Sequence, residues 1–446
     1  MKSINPYSGE VVTEVSHWSP EKLEDQLSLT ARATKVWSKT TIESRVEAVR
    51  AIAVSLTKYR TELASMMTAE MGKVTAEAIA EVDKCAAVCQ FYADKGPGFI
   101  AEEVVYAEGN NIGVITYAPI GTVLGIFPWN YPAWQLFRCL APTLIAGNTL
   151  IFKGASNVSG VSALIQEIVD ESGLEAGVFT SLRVPVSSIA GIIEDPRVHY
   201  VTLTGSEYAG SKVAEVAGRS LKKTVMELGG SDPFIVLEDA DIDAAVAAGV
   251  TSRFQNAGQV CIAAKRFIVV EAVREEFTRK FVEAVSALKY GDPTDPETTL
   301  APMNSKHARE EVFGIVRDLN DGSNILVGGN RIGYAGMQAT VIDNVSRSFH
   351  KEIFGPVALM IRARDENEAV EIANDSPYGL SSSVWTEDKP RGYSVAKRIE
   401  SGAVFINFMS KSDFRLPFGG TKLSGYGREL GGLGMREMTN IRTVVV

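Results

Sequence analysis

Cysteine and histidine are both scarce in this sequence, with four of each in 446 residues. Cys85, Cys89, Cys139 and Cys261 are too few and too scattered for a disulfide framework in so long a chain, so a reducing, cytoplasmic setting is expected. Cys85 and Cys89 stand four apart on one helical face without further His or Cys ligands nearby. That spacing favours a buried pair, and no metal is expected. Long apolar runs are missing too: nothing approaches the ~18 residues of a membrane span. The start, Met1-Lys2-Ser3-Ile4-Asn5-Pro6, lacks the apolar segment of an export signal, so neither export nor anchoring is expected. Nor is there an excess of positive charge. A net charge of −9 argues against a general nucleic-acid or anionic-membrane surface. Solenoid repeats and low-complexity tracts are absent. What remains, at 45% hydrophobic and 22% charged residues, is a globular chain long enough for two or three domains.

Residues Ser19 to about Asp94 read as helices: Ser19-Pro20-Glu21 is a capping start, and Lys95-Gly96-Pro97-Gly98 reads as a break. From Gly121 short apolar strands alternate with helices, the strands being Val123–Phe127, Thr149–Lys153, Phe179–Val184, His199–Thr204 and Lys223–Glu227. Strict alternation predicts a parallel sheet covered on both faces, with ligands at the carboxyl ends of its strands. After Gly229-Gly230-Ser231-Asp232-Pro233 a second α/β alternation begins, with strands at Phe234–Leu237, Phe267–Val270 and Val357–Ile361. The tail Ile441–Val446 is a β-branched strand with no partner near it in sequence, an edge that invites pairing.

Candidate chemistry collects at the predicted strand ends. Cys261, among small and amide residues in Asn256-Ala257-Gly258-Gln259-Val260-Cys261-Ile262, suits an exposed thiolate nucleophile, or else a small buried hydrophobe. Asn130, fixed between Pro128-Trp129 and Tyr131-Pro132, suits an oxyanion donor or a helix cap. Lys153 leaves a buried strand beside Gly154-Ala155-Ser156 and could bind a ribose or phosphate, or simply face solvent. Gly205 and Ser206 open a helix where a pyrophosphate could sit, though two glycines five apart also make an ordinary turn. Glu227 ends an apolar strand, where desolvation would raise its pKa toward that of a general base; the other reading is a carboxylate capping the next turn.

Together these segments resemble the aldehyde dehydrogenase superfamily. The resemblance rests on Pro128-Trp129-Asn130-Tyr131-Pro132, Leu203-Thr204-Gly205-Ser206, Glu227-Leu228-Gly229-Gly230, Gly258-Gln259-Val260-Cys261, Glu352-Ile353-Phe354-Gly355-Pro356 and Pro417–Gly425, in the family's order along nearly the whole chain. It implies an α/β fold with three parts. These are a Rossmann-like parallel-sheet cofactor domain (1–98 and 120–229), a second α/β catalytic domain (230–424) and a small β oligomerisation flap (99–119 and 425–446). It also implies Cys261 as nucleophile, Glu227 as general base, and Asn130 with the Cys261 backbone N–H as oxyanion hole. Lys153 and Glu352 would hold ribose hydroxyls, Gly205 and Ser206 the pyrophosphate, with Trp129, Leu228 and Phe354 also lining the cofactor site. Thiolate attack on an aldehyde gives a thiohemiacetal, hydride leaves to nicotinamide, and water deprotonated by Glu227 hydrolyses the thioester. The stretch Gly333 to His350 is shorter than is typical of the family and lacks a proline before Thr340.

Ser156, where NAD-restricted members often carry glutamate, removes a repulsion against a 2′-phosphate, so NADP use alongside NAD is expected. Arg138 lies two helical turns beyond Asn130 with Trp134 one turn before it, and Ser412 would face them. This is similar to the succinate-semialdehyde branch: Arg138 would bind a distal carboxylate in an aromatic tunnel, or else form a structural ion pair. The expected protein is a homodimer or homotetramer acting on a small aldehyde, most of all succinic semialdehyde, with no nucleic-acid or membrane partner. The alternatives are a dehydrogenase for neutral aldehydes, an acyl-CoA-forming relative, a cysteine hydrolase, and a non-catalytic binding protein. Glu227 argues against the second, and the lack of a histidine motif against the third.

Overall fold

The computed structural model describes residues 1–319, 324–347 and 349–446. Ser348, within the shortened stretch, therefore lies outside the described residues. Two α/β lobes each carry one large sheet. In the first, the strand order is Gly425–Tyr426, Lys223–Glu227, Tyr200–Thr204, Thr122–Ile126, Thr149–Lys153, Phe179–Ser181. All neighbours run parallel except the short Gly425–Tyr426, which is antiparallel to Lys223–Glu227. Every residue of Thr149–Lys153 and Tyr200–Thr204 is buried, as expected of central strands with helices on both faces. The strand order reverses beside Thr122–Ile126, which opens a crevice at the carboxyl ends.

The second sheet has the order Asn324–Val327, Thr340–Asp343, Val357–Ala363, Ala264–Val270, Asp232–Val236, Ser381–Trp385, Ala403–Ile406. It too is parallel, apart from its first pair. Cys261 precedes its middle strand, so the cysteine loop faces the carboxyl ends of the first sheet across the junction.

One expectation needs correcting. Lys95–Gly98 does not break the chain: one helix runs from Thr75 to Phe99. Pro97 falls in its last turn, where little of the hydrogen-bond ladder is left to lose, and Gly96 is pressed between Ile145 and Met435. A separate small sheet has three antiparallel strands, Glu103–Glu108, Asn111–Pro119 and Thr439–Val445, whereas Gly425–Tyr426 pairs with the first sheet. The tail strand thus finds its partner in Asn111–Pro119. No described helix is long and apolar enough to cross a membrane.

Candidate active site

At the crevice lies a cavity of about 450 Å³ whose walls include Ile126, Val186, Ile189, Leu203 and Val213, with Lys153 at its polar end. Lys153 is buried and its Nζ donates to the Gly154 carbonyl; burial lowers its pKa. A desolvated ammonium with one neutral partner has donors to spare for ribose hydroxyls or phosphate, and the apolar walls suit an adenine. A dinucleotide fits these residues. Ser156 opens a 3₁₀ turn three residues on, half-buried. Ser206 caps the helix Glu207–Arg219 by accepting from the Ala209 N–H (3.2 Å), and the Gly205 N–H donates to the Glu227 carbonyl (3.0 Å). Leu228 packs over Gly210, where a Cβ would come within 2.5 Å of it.

Trp129 and Phe354 meet edge to face, ring centroids 5.8 Å apart. Glu352 accepts from the Gly230 N–H (3.2 Å) and pairs with Lys265 (3.1 Å). Its carboxylate lies over Gly229, leaving no room for a Cβ there.

Cys261 is half-buried, whereas the other three cysteines are buried. Before it, Asn256, Ala257 and Gly258 are all left-handed, with φ of 51°, 52° and 72°. Two non-glycine residues hold this conformation because their surroundings dictate it. Glu77 accepts from the Asn256 N–H (3.0 Å), and Asn256 Nδ2 donates to the Asn130 carbonyl (3.1 Å). Arg253, fully buried, donates to the carbonyls of Gly258 and Gly355. Lys265 Nζ donates to the carbonyls of Val260 (3.1 Å) and Cys261 (2.5 Å). Burial pushes the Cys261 thiol up to about 11, with Lys265 the foremost opposing charge. Burial thus favours the thiol over the thiolate.

Asn130 Nδ2 donates to the Gln259 carbonyl (2.9 Å), and its Oδ1 accepts from Gln135 Nε2 (3.0 Å). One amide N–H is left over on a rigidly oriented side chain. Asn130 does not cap the helix Trp134–Ile145; Glu81 does, accepting from the N–H groups of Ala133 (3.0 Å) and Trp134 (2.9 Å). Glu227 is buried at the end of its strand with neither carboxylate oxygen hydrogen-bonded, and Oε1 lies over Gly419. Burial, reinforced by Glu429, holds its pKa well above the usual carboxylate range against the pull of Arg138 and Arg428.

Cys261 opens onto a second cavity of about 250 Å³, shared with Tyr131, Trp134, Arg138, Ser412 and Lys84. The three expected substrate residues therefore do converge on the cysteine. Arg138, however, is not a free cation. Its Nε lies 2.5 Å from Glu429 Oε2, both side chains being buried, and its Nη2 donates to Thr204 Oγ1 (3.1 Å). Arg138 thus forms an ion pair, the other reading of it, while still lining the cavity. Lys84 was missed: its Nζ donates to Ser412 Oγ (2.7 Å) and sits 4.0 Å from the centre of the Trp134 ring. The spacing of Glu77, Glu81 and Lys84, at i, i+4 and i+7 of one helix, was the available signal. Lys265, Arg253 and Glu81 were missed as well, because the groups they hold are distant in sequence or backbone carbonyls.

A family model described as "Aldehyde dehydrogenase family" matches residues 1–444. The NAD(P)+ succinate semialdehyde dehydrogenase Sad of Escherichia coli (strain K12) is 44% identical over 448 residues, covering 99% of this chain and 97% of that one. An NADP(+) succinate-semialdehyde dehydrogenase of Deinococcus radiodurans is 40% identical, covering 99% and 94%. The crystal structure of succinic semialdehyde dehydrogenase from Streptococcus pyogenes, in complex with NADP+ as the cofactor, superposes with a TM-score of 0.97 at 37% identity, covering 99% of each chain.

Proposed function

This chain belongs to the aldehyde dehydrogenase family, and on that premise we propose that it oxidises succinic semialdehyde to succinate with NADP or NAD. One observation carries the reading: the half-buried Cys261 opens onto a cavity that also holds the half-buried ammonium of Lys84, room for a short aldehyde with an anionic end. The cofactor, held by Lys153, Glu352, Ser206 and the Trp129–Phe354 pair, supplies a hydride acceptor. The Cys261 thiol gives its proton to solvent and the thiolate attacks the aldehyde carbon, while the spare N–H of Asn130 and the Cys261 N–H stabilise the alkoxide of the thiohemiacetal. Loss of hydride leaves a thioester on Cys261, and Glu227 takes the proton of the water that hydrolyses it.

Ser156 supports NADP use, since it puts no carboxylate beside Lys153. By this reading residues 1–98 and 120–229 form the cofactor domain and 230–424 the catalytic domain. The three-stranded flap, with Val104, Val105, Ile441 and Val445 exposed, joins copies of the chain into a cytoplasmic homodimer or homotetramer.

Absorbance of the reduced nicotinamide tests the proposal. Succinic semialdehyde should give a higher kcat/KM than butanal, and NADP one at least equal to that with NAD. Cys261→Ala should bind NADP but not turn over. Equal kcat/KM for the two aldehydes would remove the substrate assignment, and turnover by the alanine variant would remove the nucleophile.

A further inference from the structure

Two buried cations stand side by side on the strand Ala264–Val270, every residue of which is buried. Neighbouring residues of a strand point to opposite faces, and these two are used differently. Arg266 donates to the carbonyls of Ser231 (2.8 Å), Ile372 (2.8 Å) and Ala373 (2.9 Å), so it ties backbone to backbone. Lys265 has three N–H groups and three partners: the carbonyls of Val260 and Cys261 and, at 3.1 Å, Oε1 of Glu352. Its side chain is 1% exposed and that of Glu352 20%. One desolvated ammonium thus touches the backbone of the cysteine on one side and a carboxylate of the cofactor site on the other.

Resting on the reading of Cys261 as nucleophile and Glu352 as a cofactor ligand, we infer that Lys265 is a positioning residue whose charge favours the Cys261 thiolate, and that Glu352 masks this charge in the resting molecule. What happens to the carboxylate at the cofactor site is then felt at the sulfur. The other charged and titratable groups around the thiol are balanced, shifted toward neutrality or wet. Arg138 is paired with Glu429, and Glu81 with Lys73. Burial pushes Asp232, on the neighbouring strand, up to about 7, and raises Glu77, Glu227 and Tyr131 as well, which favours the neutral form of each. Burial lowers Lys84 to about 8, and Lys411 is exposed. The Lys265–Glu352 pair remains. Two opposite charges a few ångströms apart largely cancel at a third point; withdraw one, and the other acts in full.

The test is the pH profile of Cys261 alkylation by iodoacetamide, read by mass spectrometry on the peptide that carries it; the other three cysteines are buried. Lys265→Met removes a positive charge, which raises the thiol pKa. The profile should move to higher pH and the rate at neutral pH fall roughly tenfold, the effect of one pKa unit. Glu352→Gln removes the masking negative charge, so the profile should move to lower pH and the rate at neutral pH rise by a similar factor. In the double variant the two shifts should cancel and the profile return close to that of the wild type. A loop merely slackened by the loss of Lys265 would react faster or slower at every pH alike, and a second substitution would not restore it. A profile unmoved in Lys265→Met, or a double variant no nearer the wild type than Lys265→Met, would overturn the role of Lys265. Should Lys265→Met not fold, as judged by circular dichroism, Glu352→Gln decides alone: a shift to lower pH supports the masking, and no shift overturns it. Turnover by Cys261→Ala would remove the nucleophile itself whatever the profiles show, whereas unmoved profiles beside an inactive Cys261→Ala would remove only the role of Lys265.

Discussion

Burial and the neighbouring Glu429 both favour the neutral acid form of Glu227, so its pKa stands above the usual carboxylate range. A raised pKa means that the acid form persists to higher pH, and the carboxylate needed for deacylation appears only above it. The hydrolytic step should therefore accelerate as pH rises through that pKa, which stopped-flow decay of the acyl-enzyme will follow. In Glu429→Gln one negative neighbour is gone and Arg138 loses its partner, so the same limb of the profile should move to lower pH. Glu227→Gln should give a burst of reduced cofactor and an acyl adduct on Cys261 visible by mass spectrometry, followed by turnover slowed roughly 10²- to 10⁴-fold. At this scale the sequence was most informative where function is local. Cys261, Asn130, Glu227 and Lys153 each sit in a motif whose small or rigid neighbours announce them. It did not name Glu429 as the partner of Arg138, because the two lie far apart in sequence and no spacing rule links them.

The helix Thr75–Phe99 organises the site without supplying a reacting atom. One face carries Glu77 to the cysteine loop, Glu81 to the start of the helix Trp134–Ile145, and Lys84 into the substrate cavity. Glu81 also forms a buried pair with Lys73, whose Nζ sits 3.6 Å from the centre of the Tyr131 ring. Glu81→Ala would strand a buried cation and two helix N–H groups, and should cost about 3–5 kcal/mol. Urea unfolding monitored by circular dichroism will measure it; a change below about 1 kcal/mol would mean that the pair holds little of the fold. Helices were easier to read than strands. Ser381–Trp385, a buried strand of the second sheet, begins with three serines, which β propensity does not favour. Their hydroxyls are satisfied by Ser410 Oγ and the carbonyls of Ala403 and Phe408, partners that only the folded chain brings near. The run Lys95–Gly98 misled in the opposite sense: packing of Gly96 outweighed the local signal to stop.

In the whole molecule, elements far apart in the chain meet. Thr439–Val445 pairs residue for residue with Asn111–Pro119, and Ser424 donates through Oγ to the Gly229 carbonyl (2.7 Å). The overall α/β layout followed from the alternation of short apolar strands and helices, but the sheet order could not, since Gly425–Tyr426 returns to a strand completed some two hundred residues earlier. Removing residues 439–446 should leave an open strand edge and a smaller assembly, read as a drop in mass by light scattering. An unchanged mass would exclude the flap as the interface. The pairing of Gly425 with Glu227 bears also on how the protein is made. At ~5–20 residues per second, the strand that carries Glu227 waits on the order of ten to forty seconds on the ribosome for its last neighbour. During that interval the nascent half-protein presents a bare strand edge and an unfinished pocket.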